Sequence, residues 1–272
     1  MKNRWVIIGG AAVILIFVWL GFLKGRQANA NARPVKNISA QKLYEQAVNM
    51  KNNRDLLPAK EIYQKILTDA PDFERIDQVE KELGDLNLEI IVSNVEVPNK
   101  TVMHEVQSGD SIAKIAGKYG TTVDLIKISN HLKRDVIRVG QKLRVWQGNF
   151  SIFVDKSQNI LILKDGDEVV KVYQVSTGES NSTPVGTFKI KDKLENPVWF
   201  NKGIALPPES PQNVLGSRWM GFDTMPGYGI HGTIEPQTIG QQVTAGCVRM
   251  HNEDVEQLYS IVPYGTSVTI AD

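Results

Sequence analysis

Residues 228–252 read Tyr228-Gly229-Ile230-His231-Gly232-Thr233-Ile234-Glu235-Pro236-Gln237-Thr238-Ile239-Gly240-Gln241-Gln242-Val243-Thr244-Ala245-Gly246-Cys247-Val248-Arg249-Met250-His251-Asn252. They place the single cysteine of a 272-residue chain 16 positions after His231, with a glycine beside each. At its ordinary pKa only a few per cent of a cysteine is thiolate at neutral pH, so a cysteine nucleophile needs a base held against it. His231 is a candidate for that base. Gly246 removes bulk next to the sulfur, which lets a carbonyl approach and leaves main-chain N–H groups open to an oxyanion. Spacing alone leaves two other readings open. A free cysteine is commonly a small buried hydrophobe, and Cys247, His231 and His251 are metal-ligand types without a fourth protein ligand at recognisable spacing.

Around this stretch, residues 150–271 carry a mainly-β pattern. Phe153-Val154, Ile160 to Leu163 and Val169 to Val175 are short apolar runs separated by the turn Asp155 to Asn159 and by Asp165-Gly166, a hairpin signal between apolar runs. Further turns at Gly178, Pro184-Val185-Gly186 and Pro197 keep the spacing short, as in a sandwich or barrel-like domain. One C-terminal helix interrupts the strands. Val255, Leu258, Tyr259 and Val262 share a face behind Asn252, which is placed to cap it, with Glu253 and Asp254 suited to its dipole and Pro263 and Gly265 to stop it. Thr266 to Ile270 predicts a last strand.

The residues of this region resemble the L,D-transpeptidase catalytic family of the YkuD type. The match lies in Tyr228-Gly229-Ile230-His231-Gly232-Thr233 and Gly246-Cys247-Val248-Arg249-Met250-His251-Asn252, with Ser176-Thr177-Gly178, Thr183-Pro184-Val185-Gly186-Thr187-Phe188, Asn196-Pro197-Val198-Trp199-Phe200 and Leu215-Gly216-Ser217-Arg218-Trp219 ahead of them. The resemblance implies Cys247 as nucleophile, His231 as base and the main-chain carbonyl of Gly232 as the group that orients the imidazole, a part that other nucleophile pairs give to a carboxylate. It implies that the N–H groups of Gly246 and Cys247 receive the oxyanion and that Tyr228 and Thr233 lie at the substrate. Arg249 matches the motif arginine and either steers an anionic stem peptide or braces the loop. Ala245 departs from the pattern, since many members carry a second histidine there. A catalytic Cys247 should have a depressed pKa and alkylate fast near neutral pH, and a purely structural thiol should be slow.

Upstream, residues 102–146 change character. An extended start at His104-Glu105-Val106, then Ser108-Gly109-Asp110-Ser111, Ile112, Ile115 and Ala116 at helical spacing, Leu125 and Ile128 on a second short helix, Asn130, and Val139 to Val145 predict strand-helix-helix-strand. In order and in the strings VQSGDSIAKIA, LIKISN and VGQKLRV this segment resembles the LysM family, a small α+β module. The resemblance implies binding to N-acetylglucosamine-containing glycan strands, with Gly109, Asp110 and Asn130 as candidate glycan-binding residues. Trp146 stands where many members have proline. His104, His131 and His251 read as solvated or structural.

Residues 39–92 show helical periodicity behind Ser39, Pro58 and Asp72, similar to one tetratricopeptide-like hairpin, and predict a helical spacer with no identified protein partner. Ser93 to Lys100 reads as a linker, as does 25–38. Trp5 to Leu23 is 19 residues without a charge, long enough to span a bilayer. Residues 1–24 are therefore expected to be a transmembrane anchor, although Ala28-Asn29-Ala30 would also suit cleavage of a signal. With 31 basic and 30 acidic side chains, the charge balance gives no sign of nucleic-acid binding. The chain as a whole is thus expected to be multidomain: anchor, spacer, glycan module and catalytic domain, fixed in a bacterial cytoplasmic membrane with its C-terminal domains outside.

The resemblance implies a peptidoglycan L,D-transpeptidase that needs no metal or organic cofactor. The thiolate would attack the carbonyl of the L-centre of a tetrapeptide stem, expel D-alanine, and pass the acyl group to an amine and so crosslink the wall. Water as acceptor would make an L,D-carboxypeptidase, and a protein lysine would make a lipoprotein-attaching transferase. A non-catalytic wall-binding scaffold is the alternative outside enzymology.

Overall fold

A computed structural model describes residues 33–201 and 203–272. The expected anchor at 1–24 and the linker residues up to 32 lie outside the described residues. Among the described residues no helix is long and apolar enough to cross a membrane. The chain divides into two compact units, at Leu86/Asn87.

The first unit is helical. Helix α1 (Arg33–Asn52) begins earlier than its Ser39 signal suggests, with Pro34 in the first turn, where its missing N–H costs nothing, so residues 33–38 are helix and not linker. Helix α2 (Leu56–Asp69) packs against it, and α3 (Ile76–Val92) starts four residues after Asp72, which lies in the preceding turn and does not cap it. Tyr44 meets the ring of Tyr63 edge-on at 6.1 Å and that of Phe73 at 6.4 Å, and the Arg75 guanidinium sits 4.0 Å over Tyr44.

The second unit begins within α3, at Asn87, and holds the rest. Strand β1 (Thr101–Glu105), α4 (Ile112–Tyr119), α5 (Val123–Ser129) and β2 (Lys142–Trp146) follow the expected order, and β1 and β2 pair antiparallel from Thr101↔Trp146 to Glu105↔Lys142. Ser111 caps α4 by accepting the Lys114 N–H at 3.2 Å, and Gly120 at φ 64 ends it in the left-handed conformation that favours glycine. Val106, Ile112, Ile115, Ala116, Ile126, Leu143 and Val145 form the module's core.

Ten of the strands that follow are β3 (Phe150–Asp155), β4 (Ile160–Asp165), β5 (Glu168–Gln174), β6 (Thr177–Gly178), β7 (Gly186–Glu195), β8 (Trp199–Asn201), β9 (Ile204–Leu206), β10 (Arg218–Phe222), β11 (Gly229–His231) and β12 (Gln242–Thr244). After them come β13 (Val248–Arg249), helix α6 (Asn252–Ile261) and β14 (Ser267–Ala271). One eight-stranded sheet runs β13-β11-β10-β7-β14-β3-β4-β5, with β6/β12 and β8/β9 as separate pairs. Alternation explains the strands: Phe188 and Ile190 of β7 and Val268 and Ile270 of β14 are buried between exposed or half-buried neighbours. The sheet is mixed, because β14/β3 and β11/β13 pair parallel. Helix α6 packs on β10 and β11 and brings Asn252 to them.

The expected linker at 93–100 is tied down, and Arg144 of β2 is the tie. Its guanidinium donates to the carbonyls of Val95 (2.7 Å), Ile91 (2.8 Å) and Ile90 (3.1 Å), so it satisfies the last carbonyls of α3 and sits at the negative end of that helix. Burial lowers its pKa to about 10. Trp146 is also more than a module edge: its Nε1 donates to Asp165 at 3.2 Å, and Lys100 pairs with the same carboxylate at 2.9 Å. The hydroxyl of Thr122 donates to the Ser260 carbonyl on α6. The strand-helix-helix-strand module is therefore docked on the β domain.

Removing the Arg144 guanidinium would strand the Ile91 and Val95 carbonyls and leave that of Ile90 with the Ser93 hydroxyl alone. Arg144→Ala is expected to lower unfolding free energy by about 3 kcal/mol in a urea titration, with Arg144→Lys intermediate. A loss within 0.5 kcal/mol of zero, the usual range for an indifferent surface substitution, would show that these bonds do not hold the segment.

Candidate active site

Strand β11 is the centre of the site. Its His231 lies beside Trp219 of β10 on one side and Arg249 of β13 on the other, by direct register. The Trp219 indole stacks on the imidazole, centroids 5.9 Å apart at 24°. Cys247 immediately precedes β13, so its place is fixed by the parallel pairing of Ile230 with Val248 and His231 with Arg249. Main-chain bonds from Met250 N to the His231 carbonyl (2.9 Å) and between Ser176 and Arg249 (2.8 and 2.9 Å) hold β13 from both edges.

The imidazole is buried and its Nδ1 is 2.7 Å from the Gly232 carbonyl, the contact expected of an orienting group. Burial dominates its titration and lowers the pKa to about 4; the Gly232 carbonyl pulls the other way, the Arg249 charge adds to the lowering, and the Leu215 carbonyl opposes it. At neutral pH His231 is an uncharged imidazole, able to take a proton.

Cys247 is half-buried, with its sulfur 3.5 Å from the Gly227 carbonyl. Burial raises its pKa; the Gly229 main chain and the Arg249 charge work against that without overcoming it. The expected depressed thiol is therefore not found. The resting pair is thiol and neutral imidazole, because both groups are withdrawn from water and charging either one would cost desolvation.

The nucleophile loop is stapled by a residue the sequence reading passed over. Thr244 Oγ1 donates to the Cys247 carbonyl at 2.7 Å and accepts the Gly246 N–H at 3.1 Å. The Gly246 N–H, expected at the oxyanion, is thus already engaged, while that of Cys247 makes no hydrogen bond among the described residues. Gly246 has φ 125, and a Cβ there would meet the Tyr228 ring at 2.6 Å, so Tyr228 packs against the loop beside the thiol. Ala245 is exposed, so the side chain that departs from the family pattern faces outward.

Other expected roles change. Thr233 is buried and its hydroxyl accepts the Glu235 N–H at 2.8 Å, so it faces inward and not towards a substrate. Arg249 braces: it is 7 % exposed, and Nη1 meets Glu235 and Thr238 Oγ1, each at 3.0 Å. Asn252 does not cap α6, whose N-cap is His251 without a side-chain bond. It bonds instead to Thr233 N (3.0 Å), Thr233 O (2.8 Å) and Ser217 N (3.2 Å). A side-chain amide one turn-start away from a motif histidine is ordinary helix-cap chemistry in sequence, which is why its real partners were not legible.

In the β1–β2 module, Asp110 and Asn130 also turn inward. Asp110 accepts from Gln107 N (2.8 Å) and pairs with buried His104 (3.0 Å), whose other nitrogen meets the Tyr119 hydroxyl at 3.1 Å. Asn130 joins α5 to β2 through the Ile126 carbonyl (2.8 Å) and both main-chain groups of Arg144 (each 2.7 Å). Gly109 is exposed at φ 86, and its carbonyl accepts from Lys114. An open depression of about 660 Å³ lies on the α5–β2 loop, lined by Lys133, Arg134, Val136, Arg138 and Val139 among others.

Comparison with known proteins covers both parts. The profile of the YkuD L,D-transpeptidase catalytic domain matches residues 149–270, and that of the LysM domain matches 104–146. YqjB of Bacillus subtilis (strain 168), provisionally named an L,D-transpeptidase, is 41% identical over 46% of this chain and 73% of its own. Two proteins named YkuD, also provisionally L,D-transpeptidases, are similar over greater lengths. That of Bacillus licheniformis is 32% identical over 62% of this chain and 98% of its own, and that of Bacillus subtilis 30% over 61% and 97%.

The buried imidazole ties stability to pH. Between the ordinary value of 6.5 and about 4, the unfolded chain takes up a proton that the folded one refuses, so this stabilisation is complete above pH 6.5 and lost as pH falls towards 4. The loss is on the order of 3 kcal/mol. His231→Gln should flatten the fall in Tm across that window. Parallel Tm curves for variant and wild type would mean that the ring protonates freely in the folded protein.

Proposed function

This chain belongs to the L,D-transpeptidase family of the YkuD type, and we propose that Cys247, His231 and Gly232 carry out its acyl transfer on peptidoglycan stem peptides. The observation that carries this reading is the 2.7 Å contact between His231 Nδ1 and the Gly232 carbonyl. It leaves the far ring nitrogen as the acceptor, on the strand that pairs with β13, which Cys247 immediately precedes.

The neutral resting pair sets the order of events. As the sulfur attacks the carbonyl of the L-centre in a tetrapeptide stem, its proton passes to His231, so charge develops only in the transition state. The carbonyl oxygen becomes an oxyanion and the Cys247 N–H is the donor left open to receive it. Collapse expels D-alanine, whose amine takes the proton from the imidazolium, and a thioester remains. An acceptor amine then attacks the thioester, gives its proton to His231, and the returning proton frees the Cys247 thiol as the new amide forms. Arg249 keeps the Glu235–Thr238 turn beside the base in place and lends its positive charge to the developing thiolate.

The LysM domain holds the enzyme on glycan strands. With Asp110 and Asn130 engaged inside the module, the α5–β2 loop depression is the surface we assign to the strand, Val136 and Val139 facing sugar rings. Because this module is docked and not tethered, it would present the strand at a set angle to the thiol, beyond the gain in local concentration. Residues 1–24 are proposed as the anchor that keeps both domains outside the cytoplasmic membrane, where the substrate is.

The full chain incubated with disaccharide tetrapeptide should release D-alanine and yield dimers joined through the third residue, and Cys247→Ala should yield neither. D-alanine release without dimers would make water the acceptor. No release from the wild type would leave a wall-binding scaffold as the reading. Replacing Lys133, Arg134 and Arg138 together by Gln should weaken retention on isolated sacculi and leave turnover of the soluble substrate intact; unchanged retention would move the glycan surface elsewhere.

A further inference from the structure

We propose that Asn252 is the positioning residue that sets the tautomer of His231 by locking the peptide plane between Gly232 and Thr233. The proposal rests on the assignment of His231 as the base. A trans peptide is planar, and its N–H and C=O point in opposite directions, so fixing one fixes the other. The Thr233 N–H donates to Asn252 Oδ1 at 3.0 Å. The Gly232 carbonyl of the same plane must therefore point away from Asn252, and there it meets His231 Nδ1 at 2.7 Å.

Two further bonds keep Asn252 from turning. Its Nδ2 donates to the Thr233 carbonyl at 2.8 Å, which holds the next peptide plane, and Oδ1 also takes the Ser217 N–H at 3.2 Å, next to the start of β10. The fit is close enough to require glycine on both sides. A Cβ on Gly232 would lie 2.1 Å from Oδ1, and one on Gly216, at φ 64, would lie 2.3 Å from it. The side chain thus fills space that two motif glycines leave open. With the Gly232 carbonyl held towards the ring, Nδ1 keeps its hydrogen and the other nitrogen keeps its lone pair for the thiol proton. Were the plane free to rotate, Nδ1 would lose its acceptor and the hydrogen would divide between the two nitrogens.

The test is nitrogen NMR of the imidazole in the full chain, read beside D-alanine release from disaccharide tetrapeptide, for wild type, Asn252→Ala and Asn252→Asp. The aspartate keeps the oxygen that accepts from Thr233 and Ser217 and loses only the donor. Wild type should show the Nδ1–H tautomer. Asn252→Ala should show a mixture, with kcat down roughly 10- to 100-fold, the usual effect of removing a partner that orients a functional histidine, and KM little changed. Asn252→Asp should recover the wild-type tautomer and part of kcat, and it carries the test if the alanine variant does not fold. The proposal fails if Asn252→Ala keeps the wild-type tautomer, whether or not turnover falls, or if the aspartate shows the same mixture. A wild type with the expected tautomer but no D-alanine release would instead overturn the assignment of His231 as base, and the tautomer comparison would still decide what Asn252 does.

Discussion

The parallel pairing of β11 with β13 is the constraint on which the rest depends. It sets Val248 beside Ile230 and Arg249 beside His231, and so fixes where the chain must place the sulfur of the residue just before β13. Parallel neighbours need a long connection, and residues 232–247 supply it. That connection contains the turn braced by Arg249 and the loop stapled by Thr244. His231 and Cys247 are therefore joined by main-chain register, with side chains refining what the sheet has already positioned.

Burial decides the electrostatics of the pair. Trp219 covers the imidazole, Tyr228 packs on the nucleophile loop, and desolvation drives the two pKa values apart, the base down and the thiol up. A preformed thiolate–imidazolium pair would need both charges in that environment. The Arg249 charge favours thiolate and disfavours imidazolium, so it does not help the two ions form together. A concerted proton transfer during attack avoids the separated charges until a substrate has filled the site.

Much of this was legible in sequence because it rests on local chemistry. The HGT and GCVR strings, the turn residues between short apolar runs and the α6 face depend on neighbours within a few positions, and each is where the pattern puts it. What was not legible depends on partners distant in the chain. Asn252 reads as a helix cap until α6 packs on β10 and β11, Asp110 and Asn130 read as candidate glycan contacts until β1 and β2 pair, and nothing near Arg144 in the chain points to the α3 carbonyls that it meets. The thiol pKa was misread for the same reason: motif proximity of a base suggests activation, but burial is a property of the assembled fold.

The docked LysM domain extends the same principle of fixed placement. Asp165 joins Trp146, Lys100 and the Asn149 N–H at one buried carboxylate, so glycan module and thiol share a frame. The central claim is that the site rests as a neutral pair within this frame. It is tested most directly by ultraviolet titration of thiolate absorbance in the full chain, where one cysteine makes the signal unambiguous. The account predicts no thiolate at neutral pH and its appearance only above the ordinary thiol range. A full thiolate signal already present at pH 6, lost in His231→Ala, would contradict it and establish a preformed ion pair.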